Sequence, residues 1–167
     1  MSSSRQPPDA KQVFQHACRF METDVELRIL SKDDEALHAK FWFPSMVISA
    51  FASELFLKCL LLVKGTAPPK DHQLDKLYAR LGQSTQQLVE ESWSELMALR
   101  ENDIKMAEAE TERPISRNLS TALSECGDAF RLLRYVYEDP SKVRFYIPDL
   151  PIILRHVTAR ITGWEPE

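Results

Sequence analysis

The sequence predicts an all-α protein, an up-down helical bundle of four main helices with short additional helices. From Pro44 to Val63 nearly every position is apolar or small, and no turn residue interrupts the run, which describes a helix and not a strand. Apolar stripes at helical spacing recur on both sides of it. Glycine is scarce, four residues in 167, too few for the tight turns of an all-β fold. A chain of this length, 44% hydrophobic and 28% charged, suits one ordinary globular domain with its own core. That domain is expected over residues 9–163, with 1–8 disordered and 164–167 frayed.

Asp9 is placed to cap a first helix running to about residue 30, with Phe14, Cys18, Met21 and Val25 facing inward. Ser31 to Asp34 is a polar break. Ser31, with Asp34 three residues later, reads as an N-terminal cap followed by an acid in the first turn. A segment through Ala36, Leu37 and Phe41 then leads into Pro44. Two arrangements stay open there, one helix kinked at Pro44 or two helices meeting. The stretch 44–64 is apolar around most of its circumference, which makes it the central helix of the bundle. Gly65, with Pro68 and Pro69 close behind, ends it. At about 20 residues it has the length of a membrane span. Glu54 and Lys58 near its middle would each cost roughly 2.5–3.5 kcal/mol on insertion, so it reads as a soluble core helix with no membrane partner.

A short helix at 73–81 buries Leu74, Leu77, Tyr78 and Leu81, and Gly82 ends it. Ser84 with Gln87 matches a capping box for the next helix, whose stripe of Leu88, Val89, Trp93, Leu96 and Met97 runs to about residue 100. From Glu101 to Asn118 the pattern weakens: a helix continuing through Ile104 and Met106 before breaking stays open, and the acidic run, Glu108, Glu110 and Glu112 before Pro114, is expected as a solvated face or mobile loop. Leu119, Ala122, Leu123, Cys126, Phe130, Leu133 and Tyr137 mark a helix from about Asn118 to Glu138, ended by Asp139-Pro140. Residues 141–148 read as extended or irregular. Asp149 is placed to cap a final helix that tolerates Pro151 in its first turn and packs through Ile152, Ile153, Val157 and Ile161.

A net charge of −4 gives no general attraction for phosphate backbones, so any nucleic-acid contact must be local. Cys18, Cys59 and Cys126 show no CxxC spacing, and an odd count fits no disulfide framework. Buried reduced thiols in a cytoplasmic protein are expected. The opening residues carry no apolar signal segment. Zinc spacing, a phosphate-binding glycine loop and a nucleophile elbow are missing, so neither metal nor cofactor is expected.

The central helix carries a small-residue stripe, Ser45, Ser49 and Ser53, and an i, i+4 pair, Glu54 and Lys58, in the favourable orientation. Because that pair lies among Val47, Phe51, Leu61 and Leu62, it is expected at least half buried, as an intrahelical salt bridge at the edge of the core. On the 118–138 helix, Gly127, Arg131, Arg134 and Glu138 share one flank. A helical glycine costs roughly 0.5–1 kcal/mol relative to alanine, which points to a close approach by another backbone or a ligand. Arg131 and Arg134 either hold a phosphate bidentately or make salt bridges with Asp128 or Glu138. In an up-down bundle the second and fourth helices run parallel, which would set Glu54 against Arg134 and Lys58 against Glu138.

Three pieces occur in order: Ala52-Ser53-Glu54-Leu55-Phe56-Leu57-Lys58, then Gly65, then His72-Gln73-Leu74-Asp75-Lys76-Leu77-Tyr78. With the later Arg134-Tyr135-Val136-Tyr137-Glu138, this resembles the HEPN family of small helical domains. The resemblance implies a bundle of four or five helices, often dimeric, linked to nucleotide or RNA transactions, toxin–antitoxin pairs and phage defence. The family's ribonucleases use an arginine followed, after four to six residues, by a histidine on the last main helix. These two groups act without metal, usually across a dimer interface. Here the histidines are His16, His38, His72 and His156, and Tyr137, Glu138, Asp139 and Pro140 stand where one would follow Arg134. His72 reads as a loop or cap residue. The resemblance therefore implies a non-catalytic module that binds a partner protein, a nucleotide or RNA through Glu54, Lys58, Arg131, Arg134, Tyr137 and Glu138. The alternatives are a metal-independent endoribonuclease with an altered site and a structural helical dimer. Trp42, Phe43 and Trp164, apolar and beyond the stripes, support a homodimer.

Overall fold

The computed structural model describes residues 8–128, 132–133 and 147–167. Among them the fold is all-α. Helix α1 (Ala10–Leu30) starts at Asp9, whose carboxylate accepts from Lys11 N at 2.9 Å. It buries Phe14, Ala17, Cys18 and Met21, and also Asp24. Ser31 belongs to the end of this helix and not to the start of the next. Its backbone is still helical, so its hydroxyl turns back to Leu27 O at 2.8 Å. The N-cap of α2 is Asp34, extended in backbone and accepting from Leu37 N at 3.0 Å.

Helix α2 (Glu35–Val63) settles the question left at Pro44, because one helix continues through it. Proline supplies no N–H to the turn before it, so one intrahelical hydrogen bond is missing there. The next turns are fixed by burial of Ser45, Met46, Ser49 and Ala50. The helix stops as expected at Gly65, whose φ of +72° suits a residue without Cβ. Thr66 N donates to Leu61 O and Gly65 N to Leu62 O, both at 2.9 Å, the paired bonds of a Schellman cap. By length and composition α2 passes for a membrane span, but 61% of its most apolar window is buried inside the protein.

Helices α1 and α2 form an antiparallel hairpin, shown by Phe20 against Phe51 at 4.8 Å and by the Cys59 thiol on Ala10 O at 3.3 Å. The serine stripe is the close-packed seam of α2. Ser45 donates to Asp24, Ser49 to Pro148 O at 3.0 Å, and Ser53 to Ser49 O at 2.9 Å.

Helix α3 (Leu74–Ala79) buries Leu74, Leu77 and Tyr78 as expected. Helix α4 (Gln83–Leu99) departs from the capping-box reading. It begins at Gln83, one residue before Ser84, with Gly82 as a cap that has no side chain to offer. The acidic run is not a loop: it opens as helix α5 (Glu101–Thr111), and Ile104 is buried. Helix α6 (Leu119–Cys126) starts at Asn118, which accepts from Thr121 N at 2.9 Å. The helix expected to continue to Glu138 is interrupted by a turn at Gly127 and Asp128, and residues 132–133 are helical again. Leu132 N donates to Asp128 O at 2.9 Å just beyond, and most of the remainder lies outside the described residues.

Helix α7 (Leu150–Thr162) packs through Ile153, Val157 and Leu154, while Ile152 faces out at 39% exposure. Asp149 precedes it without making a capping bond, because its carboxylate is engaged elsewhere. The C-terminal residues, expected to fray, are tied to α1. Gln15 donates to Glu165 O and accepts from Glu167 N, both at 3.0 Å. Trp164 is part of this packing, 5.8 Å from Phe14, so it does not belong to an exposed patch.

Candidate functional site

The i, i+4 pair on α2 is present and is more deeply set than the edge of the core. Glu54 is only 2% exposed and Lys58 17%, with Nζ on Oε1 at 2.7 Å. A buried carboxylate must be paired to remain charged, and Lys58 supplies that pairing. The same Oε1 receives Nδ1 of His72 at 2.9 Å. One carboxylate oxygen thus holds both the Lys58 ammonium and the His72 ring nitrogen. His72 itself is 59% exposed. It is thus no mere loop residue: a buried acid on the central helix orients it.

The segment that brings His72 there is fixed at several points. Asp71 accepts from the backbone N–H of His72 at 2.8 Å and of Gln73 at 3.2 Å, and these bonds hold its carboxyl below the ordinary range. Gln73 Nε2 donates to Asp128 at 3.0 Å, and Leu74 N donates to Gly127 O at 3.0 Å. The start of α3 therefore sits on the turn that follows α6.

Gly127 has its reason here. A Cβ at that position would stand 2.7 Å from Asp75 Oδ1, so the carboxylate occupies the space a side chain would need. The close approach expected at Gly127 exists, and its partner is a side chain. Two buried oxygens around this junction, Glu54 Oε2 and Asp75 Oδ1, have no hydrogen-bond partner among the described residues. Unsatisfied acceptors of this kind are uncommon in a folded interior.

Of the six candidate residues, the structure brings Glu54 and Lys58 together. Arg131, Arg134, Tyr137 and Glu138 lie outside the described residues, and with them the expected Glu54–Arg134 and Lys58–Glu138 contacts. The residue that sequence reasoning undervalued is His72. Its signal was its place in the His-x-Leu-x-x-Leu-Tyr pattern.

A second polar cluster joins other parts of the chain. Asp24 is fully buried, takes the Ser45 hydroxyl on Oδ1 and lies 2.9 Å from Arg28 Nη2. Burial raises its carboxyl above the usual 3.8, with Ser45 and Arg28 pulling the other way. Arg28 also reaches Asp149 at 3.1 Å, and Arg100 binds the other oxygen of Asp149 at 3.2 Å. The acid expected to cap α7 instead ties the end of α1 to the α4–α5 junction. Among the described residues no group of His, Cys, Asp and Glu is placed to hold a metal ion. The three cysteines are buried and form no disulfide among the described residues, and burial pushes the Cys18 thiol up to about 11 and that of Cys59 up to about 12, far from nucleophilic thiolates.

The family model for the HEPN domain matches residues 28–138 of the chain. The chain belongs to the HEPN domain family. Comparison with curated proteins and with solved structures returned no match. The matched span contains the whole Glu54–Lys58–His72 constellation and the turn at Gly127 on which it rests, so the cluster lies within the HEPN domain proper. It stops short of Asp149 and α7, which lie outside the span and contribute to the second polar cluster.

Proposed function

We propose that this HEPN domain is a non-catalytic binding module that receives a phosphate-bearing ligand, a nucleotide or RNA, at Lys58 and His72. The observation that carries this reading is the buried Glu54 carboxylate holding both basic groups on one oxygen. In a chain of net charge −4, such a fixed basic pair is the kind of local contact a phosphate requires. Absence of a histidine after Arg134 speaks against RNA cleavage. Cytoplasmic location, and a homodimer using exposed Phe43, Ile29 and Leu30, complete the reading, in the toxin–antitoxin or defence setting common to the family.

The test is anisotropy of a labelled single-stranded RNA, with labelled ATP in parallel. Saturable binding is expected, weakened about fivefold or more by Lys58→Gln and by His72→Ala, the worth of one charge-assisted contact. Binding indifferent to both changes would reject the site. No cleavage of total RNA is expected with or without EDTA.

A second reading, a metal-independent endoribonuclease with an altered site, draws on one feature, the carboxylate-oriented imidazole of His72, an arrangement suited to a general base. Cleavage that survives EDTA and disappears in His72→Ala or Arg134→Ala would establish it over the binding module.

A further inference from the structure

The Lys58–His72 pair has a charged extension. Residues 58–80 hold five cations, Lys58, Lys64, Lys70, Lys76 and Arg80, against two acids, Asp71 and Asp75, a local net charge of +3 in a chain of net −4. Both acids are engaged elsewhere. The Asp71 carboxylate accepts from the backbone N–H groups of His72 and Gln73, and Asp75 Oδ1 is buried against Gly127. Lys64, Lys70, Lys76 and Arg80 are exposed, and none of the four is in a salt bridge among the described residues.

Several of these charges follow one line. Lys58 and His72 meet on one oxygen of Glu54. His72 leads through Gln73 into α3, whose Leu74, Leu77 and Tyr78 are buried. Lys76 and Arg80, four positions apart, share the exposed flank one turn from each other. Both help to hold low the carboxyl of Asp71, the neighbour of His72. From Leu74 to Arg80 the helix alone rises about 9 Å, more than one phosphate group bridges. Exposed like charges without a protein partner gather counterions, and a run of phosphates that displaces those ions gains affinity with each release. α3 offers one flank and no helix free to enter a groove, which suits a single strand over a duplex. We infer that the phosphate-bearing ligand is a single-stranded nucleic acid whose backbone runs from Lys58 and His72 along α3 to Lys76 and Arg80. This path rests on the phosphate site proposed above and makes its occupant a polymer, not a free nucleotide.

The probes are labelled ATP and a labelled uridine dodecamer, added to the full chain and followed by anisotropy across a salt series. The test variant combines Lys76→Gln with Arg80→Gln, two exposed positions outside the Lys58–His72 pair. The dodecamer should bind more tightly than ATP, and the double variant should weaken it about tenfold at low salt. The slope of log Kd against log salt should fall by about 1.4, the share of two phosphate contacts on a single strand. ATP affinity should stay unchanged in that variant, whereas Lys58→Gln weakens both probes. Dodecamer binding that responds to Lys58→Gln but not to the double variant overturns the path and leaves the phosphate site standing. Equal weakening of ATP and dodecamer by the double variant overturns it in favour of a free nucleotide. Binding indifferent to Lys58→Gln removes the site itself, and the path with it. Equal affinity for a polyglutamate dodecamer would show a surface that reads negative charge alone, as an acidic protein segment carries, and would overturn the assignment to nucleic acid.

Discussion

Glu54 Oε1 and His72 Nδ1, eighteen residues apart in the chain, stand 2.9 Å apart across the gap between α2 and the start of α3. Lys58 shares that oxygen, and the three residues differ sharply in exposure. Lys58→Met would leave a buried carboxylate with the imidazole as its one remaining partner among the described residues, an expected loss of about 3 kcal/mol. His72→Ala removes an exposed partner and should cost about 1 kcal/mol or less. Urea unfolding of both variants checks the order, and a larger loss for His72→Ala would show that the lysine is not what keeps Glu54 paired.

Gly127 and Asp75 make a second testable pair. Alanine in a helical backbone normally gains roughly 0.5–1 kcal/mol over glycine. Here the new Cβ would meet Asp75 Oδ1, and the expected outcome is a loss of about 1–3 kcal/mol. In an Asp75→Ala background the same change should be neutral or stabilising. Additive effects in that double-mutant cycle would mean that the two positions do not interfere.

The buried Asp24 gives a pH signature. Its folded pKa lies above the ordinary 3.8, so between 3.8 and the folded value the native state binds more protons than the unfolded chain. Its contribution to stability is therefore greatest at low pH and declines as pH rises through that window. The stability of the wild type relative to Asp24→Asn should fall from acid toward neutral pH. A flat or rising difference would contradict the burial-driven shift.

Arg117 holds Glu101 and Glu108 together, and both carboxyls lie below their usual 4.5 because of it. Depressed acids act in the opposite sense to Asp24. Their support is present above 4.5 and is lost as pH falls through the lowered folded values. Hydrogen exchange of the Ile115 amide, which donates to Glu108 at 2.7 Å, should accelerate relative to the intrinsic rate in acid. Arg117→Gln should produce the same loss of protection at neutral pH.

What the sequence made legible follows from local physics. The apolar run, Gly65 and the Glu54–Lys58 spacing are statements about one helix, and each is found. The misses are long-range. Nothing in the helical period says that Asp149 will prefer two arginines to its own helix end, or that Asp24 will be buried against Ser45. α5 was legible only as a helix through Ile104 and Met106, because its burial rests largely on Ile104 while its charges are satisfied by Arg117, from beyond the helix. His72 lay in a quoted motif, but its role depends on a contact between a loop and a helix that no single-segment pattern encodes.

The clasp of Gln15 on Glu165 and Glu167 has a topological consequence. Asp9 and Glu167 border the same small cleft, so the outer limits of the helical unit are spatial neighbours. A short flexible bridge across them, with a new opening at the exposed Arg113 between α5 and α6, would give a circularly permuted chain in which α1, α2 and α7 keep their mutual contacts. In that permutant, α6 and α7 would be synthesised before the α1–α2 hairpin against which α7 packs.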